Sequence, residues 1–245
     1  SKKLKIYENP KELLSISLGS AETTLLKLTS AYSVFVNGGK LVEPILIDRI
    51  QDSEGNTIYN NDGRKCINCE KISYLSSDYP EVKNNYKQIF SPETAHQMTS
   101  ILEGVVQRGT AKKLKDLDLN IAGKTGTTNK NTDTWFIGFT SNLLVGVYVG
   151  SDSPSPLGKF ETGSKTALPI FKKFIKDSVK KSDARPFKAA KGTVMMVVDP
   201  MTGQKAKFSS KDTIIEVFKK ENIKDGKVLY SNTDRLDVNN ILKFY

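Results

Sequence analysis

The chain has 245 residues, of which 38% are hydrophobic and 26% charged: enough apolar content for a packed core and too much for wholesale disorder. Its 37 lysines and arginines outweigh 27 acidic residues to leave +10, while one histidine and two cysteines exclude multi-histidine metal sites, a four-thiolate zinc site and a multi-disulfide framework. No cofactor is expected, and the longest apolar stretch, Leu143 to Val149, falls far short of the ~18 residues a membrane span needs.

A first helix is expected over about residues 24–37, with Thr23 as N-cap, Leu25, Leu28, Tyr32, Phe35 and Val36 at helical spacing, and Asn37-Gly38-Gly39 as its end. The β-rich runs Val42 to Ile50 and Thr57 to Tyr59 flank Ser53-Glu54-Gly55-Asn56 and read as a hairpin. Residues 60–90 are polar and read as a surface loop. Cys66-Ile67-Asn68-Cys69 within it suits a local disulfide in an oxidising compartment, two free thiols being the other reading.

A second helix is expected over about residues 92–108, with Ser91 as cap, Pro92 in the first turn, and Met98, Ile101, Leu102, Val105 and Val106 inward. His96 on this helix reads as structural. Three short strands follow at Ile121 to Thr127, Thr134 to Phe139 and Leu143 to Val149, joined by tight turns and therefore antiparallel. Trp135 reads as packing beneath this sheet. Beyond a Pro/Ser/Gly loop at 151–163, a third helix fits 165–180 with Leu168, Ile170, Phe171, Phe174 and Ile175 inward.

Ala184-Arg185-Pro186 marks a boundary between residues 1–183 and an extension at 184–245. In the extension, Thr193 to Val198 and Gln204 to Phe208 flank Asp199-Pro200-Met201-Thr202-Gly203 as a hairpin; a short helix is expected near 213–221, then a loosely attached polar tail. Helices on either side of a compact antiparallel sheet make the fold class α+β.

The basic excess is almost all lysine, since Arg occurs only at positions 49, 64, 108, 185 and 235, and the lysines are scattered. Phosphate and base recognition leans on the arginine fork, so a solvated surface is the reading and no nucleic-acid partner is expected. No Gly-x-Gly-x-x-Gly, phosphate-loop or Gly-x-Ser-x-Gly pattern occurs. The basic start Ser1-Lys2-Lys3-Leu4-Lys5 has no apolar segment behind it, so the chain itself is expected neither to span nor to target a membrane.

Lys124-Thr125-Gly126-Thr127 carries the chemistry. With Leu18-Gly19-Ser20, Asn37-Gly38-Gly39, Gly109-Thr110-Ala111, Asp133-Thr134-Trp135-Phe136-Ile137-Gly138, Ala167-x-Pro169-Ile170-Phe171 and Val198-Asp199-Pro200-Met201-Thr202-Gly203, it forms an ordered series over residues 15–221. The series resembles the C-terminal portion of the transpeptidase domain of bifunctional class A penicillin-binding proteins. The resemblance implies an incomplete penicillin-binding fold in which this motif lines the active-site groove and pairs with a peptide by β-addition. It implies that Lys124 sets a cation against the substrate's terminal carboxylate, and that Thr125 and Thr127 donate hydroxyl hydrogen bonds to it. The resemblance also implies that the Thr127 N–H forms half of the oxyanion hole, that Gly126 lets the strand approach substrate, and that Thr128 belongs to the substrate-binding set.

That family also needs Ser-x-x-Lys and Ser-x-Asn upstream of Lys-Thr-Gly. Ser178-Val179-Lys180-Lys181 alone fits the first pattern, lies downstream and reads as coincidence; Ser-x-Asn does not occur. An unactivated hydroxyl is a weak nucleophile, so the chain is expected to be inactive by itself. The parent protein is expected to be a D,D-transpeptidase at the periplasmic face of the bacterial inner membrane, its anchor outside this chain. Its expected partners are peptidoglycan stem peptides, β-lactam antibiotics and an N-terminal part of the same protein. The alternatives are a D,D-carboxypeptidase or β-lactamase relative, and a non-catalytic basic module for an anionic polymer or partner protein. Without its N-terminal part, the sheet is expected to have an unpaired edge and an exposed apolar face.

Overall fold

The computed structural model describes residues 2–10, 12–64, 66–67, 69, 81–82, 86–153, 155–207, 212–224 and 227–228. Helix α1 spans Leu25–Val36, and its N-cap is Thr24, not Thr23: the Thr24 side chain accepts the Lys27 N–H. Strands β1 (Arg49–Gln51) and β2 (Thr57–Asn60) form the expected hairpin, but residues 42–48 add no strand to it. Pro44 can give a ladder no N–H, which fits the late start. Two short strands, β3 (Cys66–Ile67) and β4 (Glu81–Val82), pair within the region expected as loop, and Cys66 is joined to Cys69 as a disulfide.

Helix α2 spans Pro92–Gln107, with Ser91 accepting the Thr94 N–H and Pro92 in the first turn, where no intrahelical donor is needed. Ala95, Thr99, Leu102 and Val106 form its buried stripe, whereas Ile101, expected inward, is 52% exposed. The central sheet comprises β5 (Ala122–Thr127), β6 (Thr134–Phe139) and β7 (Leu144–Val149) in that order, both pairings antiparallel. Its register runs from Ala122 opposite Phe139 to Thr127 opposite Thr134, and from Thr134 opposite Val149 to Phe139 opposite Leu144.

Period-two alternation divides the sheet's contacts between two layers. On one face, Phe136 meets Phe171 of helix α3 (Ala167–Ser178), ring centroids 4.7 Å apart. Val106, Leu114, Ile121, Leu168 and Ile175 complete this core. Burial of each large side chain contributes roughly 2–3 kcal/mol. A methyl group on Gly138 would stand 2.7 Å from both rings, so a glycine there makes room for the pair. On the other face, Ala122 and Phe139 pack with Leu102 of α2 and with Tyr32, Phe35 and Val36 of α1. Helices therefore cover both faces, and the expected bare apolar face is not found; the open edge of β5 is. In α3, Leu168, Phe171 and Ile175 are buried, but Ile170 (52%) and Phe174 (46%) are exposed, contrary to expectation. Those two share a stripe beside the one the core receives.

The C-terminal hairpin differs most. Strand β8 (Thr193–Val198) pairs with β9 (Ile214–Lys219), not with residues 204–208, whose link to β8 is a single bridge between Val198 and Lys205; Phe208 lies outside the described residues. The helix expected near 213–221 is thus a strand followed by a short 3-10 turn at Lys220–Asn222. Ile214, Ile215, Val217 and Phe218 are β-branched or aromatic and lose rotamer freedom in a helix. Two short strands, β10 (Ile223–Lys224) and β11 (Lys227–Val228), follow where a loosely attached polar tail is expected; residues 229–245 lie outside the described set. The hairpin rests on α2: Gln97 Nε2 donates to the Val217 carbonyl at 3.2 Å, His96 Nδ1 lies 2.8 Å from Thr193 Oγ1, and Arg108 pairs with Glu216.

Candidate active site

The alternation of an antiparallel ladder decides what β5 shows to solvent. The Thr128 N–H donates to the Asp133 carbonyl at 3.0 Å, just beyond the last strand pair. Counting back by twos, Gly126, Lys124 and Ala122 occupy hydrogen-bonded positions against β6. The N–H and C=O groups of Thr125 and Thr127 therefore point away from β6, along the open edge. Lys124 is exposed beside this edge, its ammonium donating to the outward Thr125 carbonyl at 2.9 Å.

Successive side chains leave opposite faces. Lys124 and Gly126 lie on the α1/α2 face, Thr125 and Thr127 on the α3 face. Thr125 Oγ1 is 2.9 Å from Thr110 Oγ1, and Thr127 Oγ1 accepts the Gly163 N–H at 3.1 Å. Each arrangement leaves hydroxyl protons to donate: Thr127 uses a lone pair, and two threonine hydroxyls that bond each other spend one proton between them.

Sequence logic holds these supports in place. After α2, the Gly109 and Ala111 N–H groups both return to the Val105 carbonyl, and Ala111 is fully buried, which carries Thr110 back over β5. A methyl group on Gly109 would meet Val105 Cα at 2.8 Å. Gly163 sits still closer, since a methyl group there would lie 2.6 Å from the carbonyl oxygens of Gly126 and Trp135. Thr134 Oγ1 is 2.5 Å from Thr166 Oγ1, a second tie between the sheet and the same loop.

Asp133 closes the far end. Its N–H donates to Thr128 Oγ1 at 2.9 Å, and its carboxylate accepts from Tyr148 Oη at 2.8 Å, from Thr132 Oγ1 at 3.3 Å and from Thr128 Oγ1 at 3.5 Å. The bond to Asp133 holds the Tyr148 phenol above its ordinary pKa. Trp135 is half-buried against Tyr148, ring centroids 4.8 Å apart, on the face opposite Phe136.

All five expected residues, Lys124, Thr125, Gly126, Thr127 and Thr128, are thus placed on or at the end of one open strand edge. Gly163, Asp133 and Tyr148 were not foreseen as supports; Thr110, Gly109 and Asp133 stood in the motif series with no role attached. His96 is structural, as expected, with burial lowering its pKa. Ser178 ends α3, which packs on β6 and β7. A cavity of about 840 Å³, open to solvent, lies instead at the C-terminal hairpin beside Val194, Met195 and Lys205.

The penicillin binding protein transpeptidase domain family matches residues 3–176. A Rickettsia conorii protein named penicillin-binding protein 1A is 40% identical over 241 residues, 97% of this chain and 30% of its own length. Its Rickettsia typhi namesake is 42% identical over 224 residues, 91% of this chain and 28% of its own. Among solved structures, penicillin-binding protein 1A from Haemophilus influenzae superposes with a TM-score of 0.71 at 27% identity, covering 88% of this chain and 35% of that one. The chain therefore spans about 30% of the length of the curated relatives it matches. With 174 consecutive residues under one family model and the edge strand where the motif requires it, the chain belongs to the penicillin-binding protein transpeptidase family.

Proposed function

We propose that this chain supplies one wall of the active site of a peptidoglycan D,D-transpeptidase. The outward N–H and C=O groups of Thr125 and Thr127 carry the reading, because an open edge offers an extended peptide ladder partners on both sides of a reacting carbonyl. Lys124 and the Thr125 and Thr127 hydroxyls bind the terminal carboxylate of a stem peptide ending in D-Ala-D-Ala, and the Thr127 N–H stabilises the oxyanion. Gly126 keeps a side chain off the strand on the Lys124 face, and Thr128 anchors the strand end to Asp133.

The nucleophile is a serine in polypeptide outside these 245 residues. Its Oγ attacks the carbonyl of the penultimate D-alanine; the peptide C–N bond breaks, and the proton reaches the departing D-alanine amine. An amine from a neighbouring strand then displaces the serine to form the cross-link. A β-lactam carbonyl takes the same attack, its ring C–N bond breaking. The partner polypeptide adds strands at β7, the sheet's other margin, since β5 must stay open for substrate. Residues 1–183 form the transpeptidase portion and 184–245 an extension bracing α2. The whole protein works on the periplasmic side of the inner membrane, held there by a segment outside this chain. Among the described residues no helix is long and apolar enough to cross a membrane.

Incubation with a fluorescent penicillin tests this. The full-length protein is expected to form a stoichiometric covalent adduct by intact mass, the 245-residue chain none, and full-length Lys124→Ala to acylate about ten- to a hundred-fold more slowly, as loss of a charge-assisted contact to a substrate carboxylate implies. Acylation of the isolated chain, or indifference to Lys124→Ala, overturns the reading.

A further inference from the structure

We propose that Phe160, with Lys159 and Lys165, forms an accessory subsite for an acidic group on a peptide lying along β5; this rests on the reading of β5 as a peptide-binding edge. Three observations converge on it. Phe160 is 65% exposed, although apolar rings of this size are normally turned inward. Its φ of 70° lies in the left-handed region, which a bulky residue avoids unless the surrounding loop imposes it. Two ammonium groups stand over its ring, Lys159 Nζ at 5.4 Å and Lys165 Nζ at 5.8 Å from the centroid.

Two like charges, each within 6 Å of one exposed ring centroid, repel each other, and an anion beside the ring relieves that repulsion while the ring covers the adjoining aliphatic part of the ligand. Glu161, the nearest acidic neighbour in the chain, makes no ion pair with Lys159 or Lys165 among the described residues; its Cγ lies 3.1 Å from where a Gly158 methyl would be. The loop is fixed to the candidate site. The Leu157 N–H donates to the Asn131 carbonyl at 2.9 Å and the Gly163 N–H to Thr127 Oγ1 at 3.1 Å. Phe160 is three residues from Gly163, so its Cα lies within about 10 Å of a residue bonded to Thr127. The ligand class is a peptide with a free side-chain or α-carboxylate, as opposed to the same peptide amidated.

Equilibrium binding to the full-length protein is compared for two synthetic peptides ending in D-Ala-D-Ala, one with an internal carboxylate and one with that group amidated. The double variant Lys159→Gln/Lys165→Gln and the single variant Phe160→Ala are expected to weaken binding of the carboxylate peptide about three- to ten-fold, the range two exposed charge contacts supply. The amidated peptide should bind the double variant as it binds the parent, and penicillin acylation should be unchanged in all variants. Equal affinity of the parent for the two peptides, or equal losses for both in the double variant, overturns the subsite. Failure of the parent protein to react with penicillin counts instead against the transpeptidase reading, because peptide binding is measured without turnover.

Discussion

At the scale of single residues, the site depends on backbone-to-backbone approach as much as on its charged group. Gly163 has its Cα against the carbonyl oxygens of Gly126 and Trp135, where a methyl group would stand 2.6 Å from both, and its N–H occupies the Thr127 hydroxyl. Neither backbone oxygen can swing aside without opening the ladder. Gly163→Ala is therefore expected to lower stability by about 1–3 kcal/mol, the usual range for overpacking a buried site, and to slow acylation of the full-length protein by displacing Thr127. Urea denaturation together with acylation kinetics checks both effects. The strand that carries Lys124 was legible because alternation and flanking turns define it. Gly163 was not. A glycine in a Pro/Ser/Gly loop looks like conformational slack, and only the fold reveals that it fills a gap too narrow for a methyl group.

At the scale of elements, α2 joins the sheet, α1 and the C-terminal hairpin, and it carries a half-buried carboxyl. Burial pushes Glu103 up to about 7 from an ordinary 4.5. Between those values the unfolded chain has released a proton that the folded chain keeps, so this residue's contribution to stability falls as pH rises from about 4.5 to 7, and is level above. Solvent reaching the half-buried group screens the effect to about 1–2 kcal/mol. Glu103→Gln should match the parent near pH 4 and exceed it by that amount near pH 8, as measured by denaturant melts at the two pH values. Elements themselves were legible where one period fits and ambiguous where two do. Leu168, Phe171 and Ile175 admit only a helix, whereas Ile214, Val217 and Phe218 match helical spacing while Ile215 and Val217 match a strand's. In a six-residue segment the tie is settled by pairing with Thr193 to Val198, which lies outside any local window. Ile170 and Phe174 were misplaced for a related reason: helical spacing marks an apolar stripe but not how much of it a neighbour covers.

For the molecule as a whole, the segment from Phe187 through β9 shares an interface with α2 and the central sheet. Gln97, His96 and Arg108 on α2 meet Val217, Thr193 and Glu216, and Phe187 meets Phe139 of the sheet with ring centroids 5.5 Å apart. A chain ending at Asp183 loses all four contacts, leaving the Phe139 ring without one aromatic neighbour and the polar groups of α2 to water. Its denaturation midpoint is expected to fall relative to the full chain, by an amount that Phe187→Ala reproduces in part; an unchanged midpoint would mean the extension merely leans on the helix. One further property follows from the central sheet having three strands among the described residues, with β5 and β7 as its borders. A ladder with two unfinished margins is a template in both directions. Each margin offers unpaired backbone groups onto which a passing extended segment, including one from another copy, can be stitched.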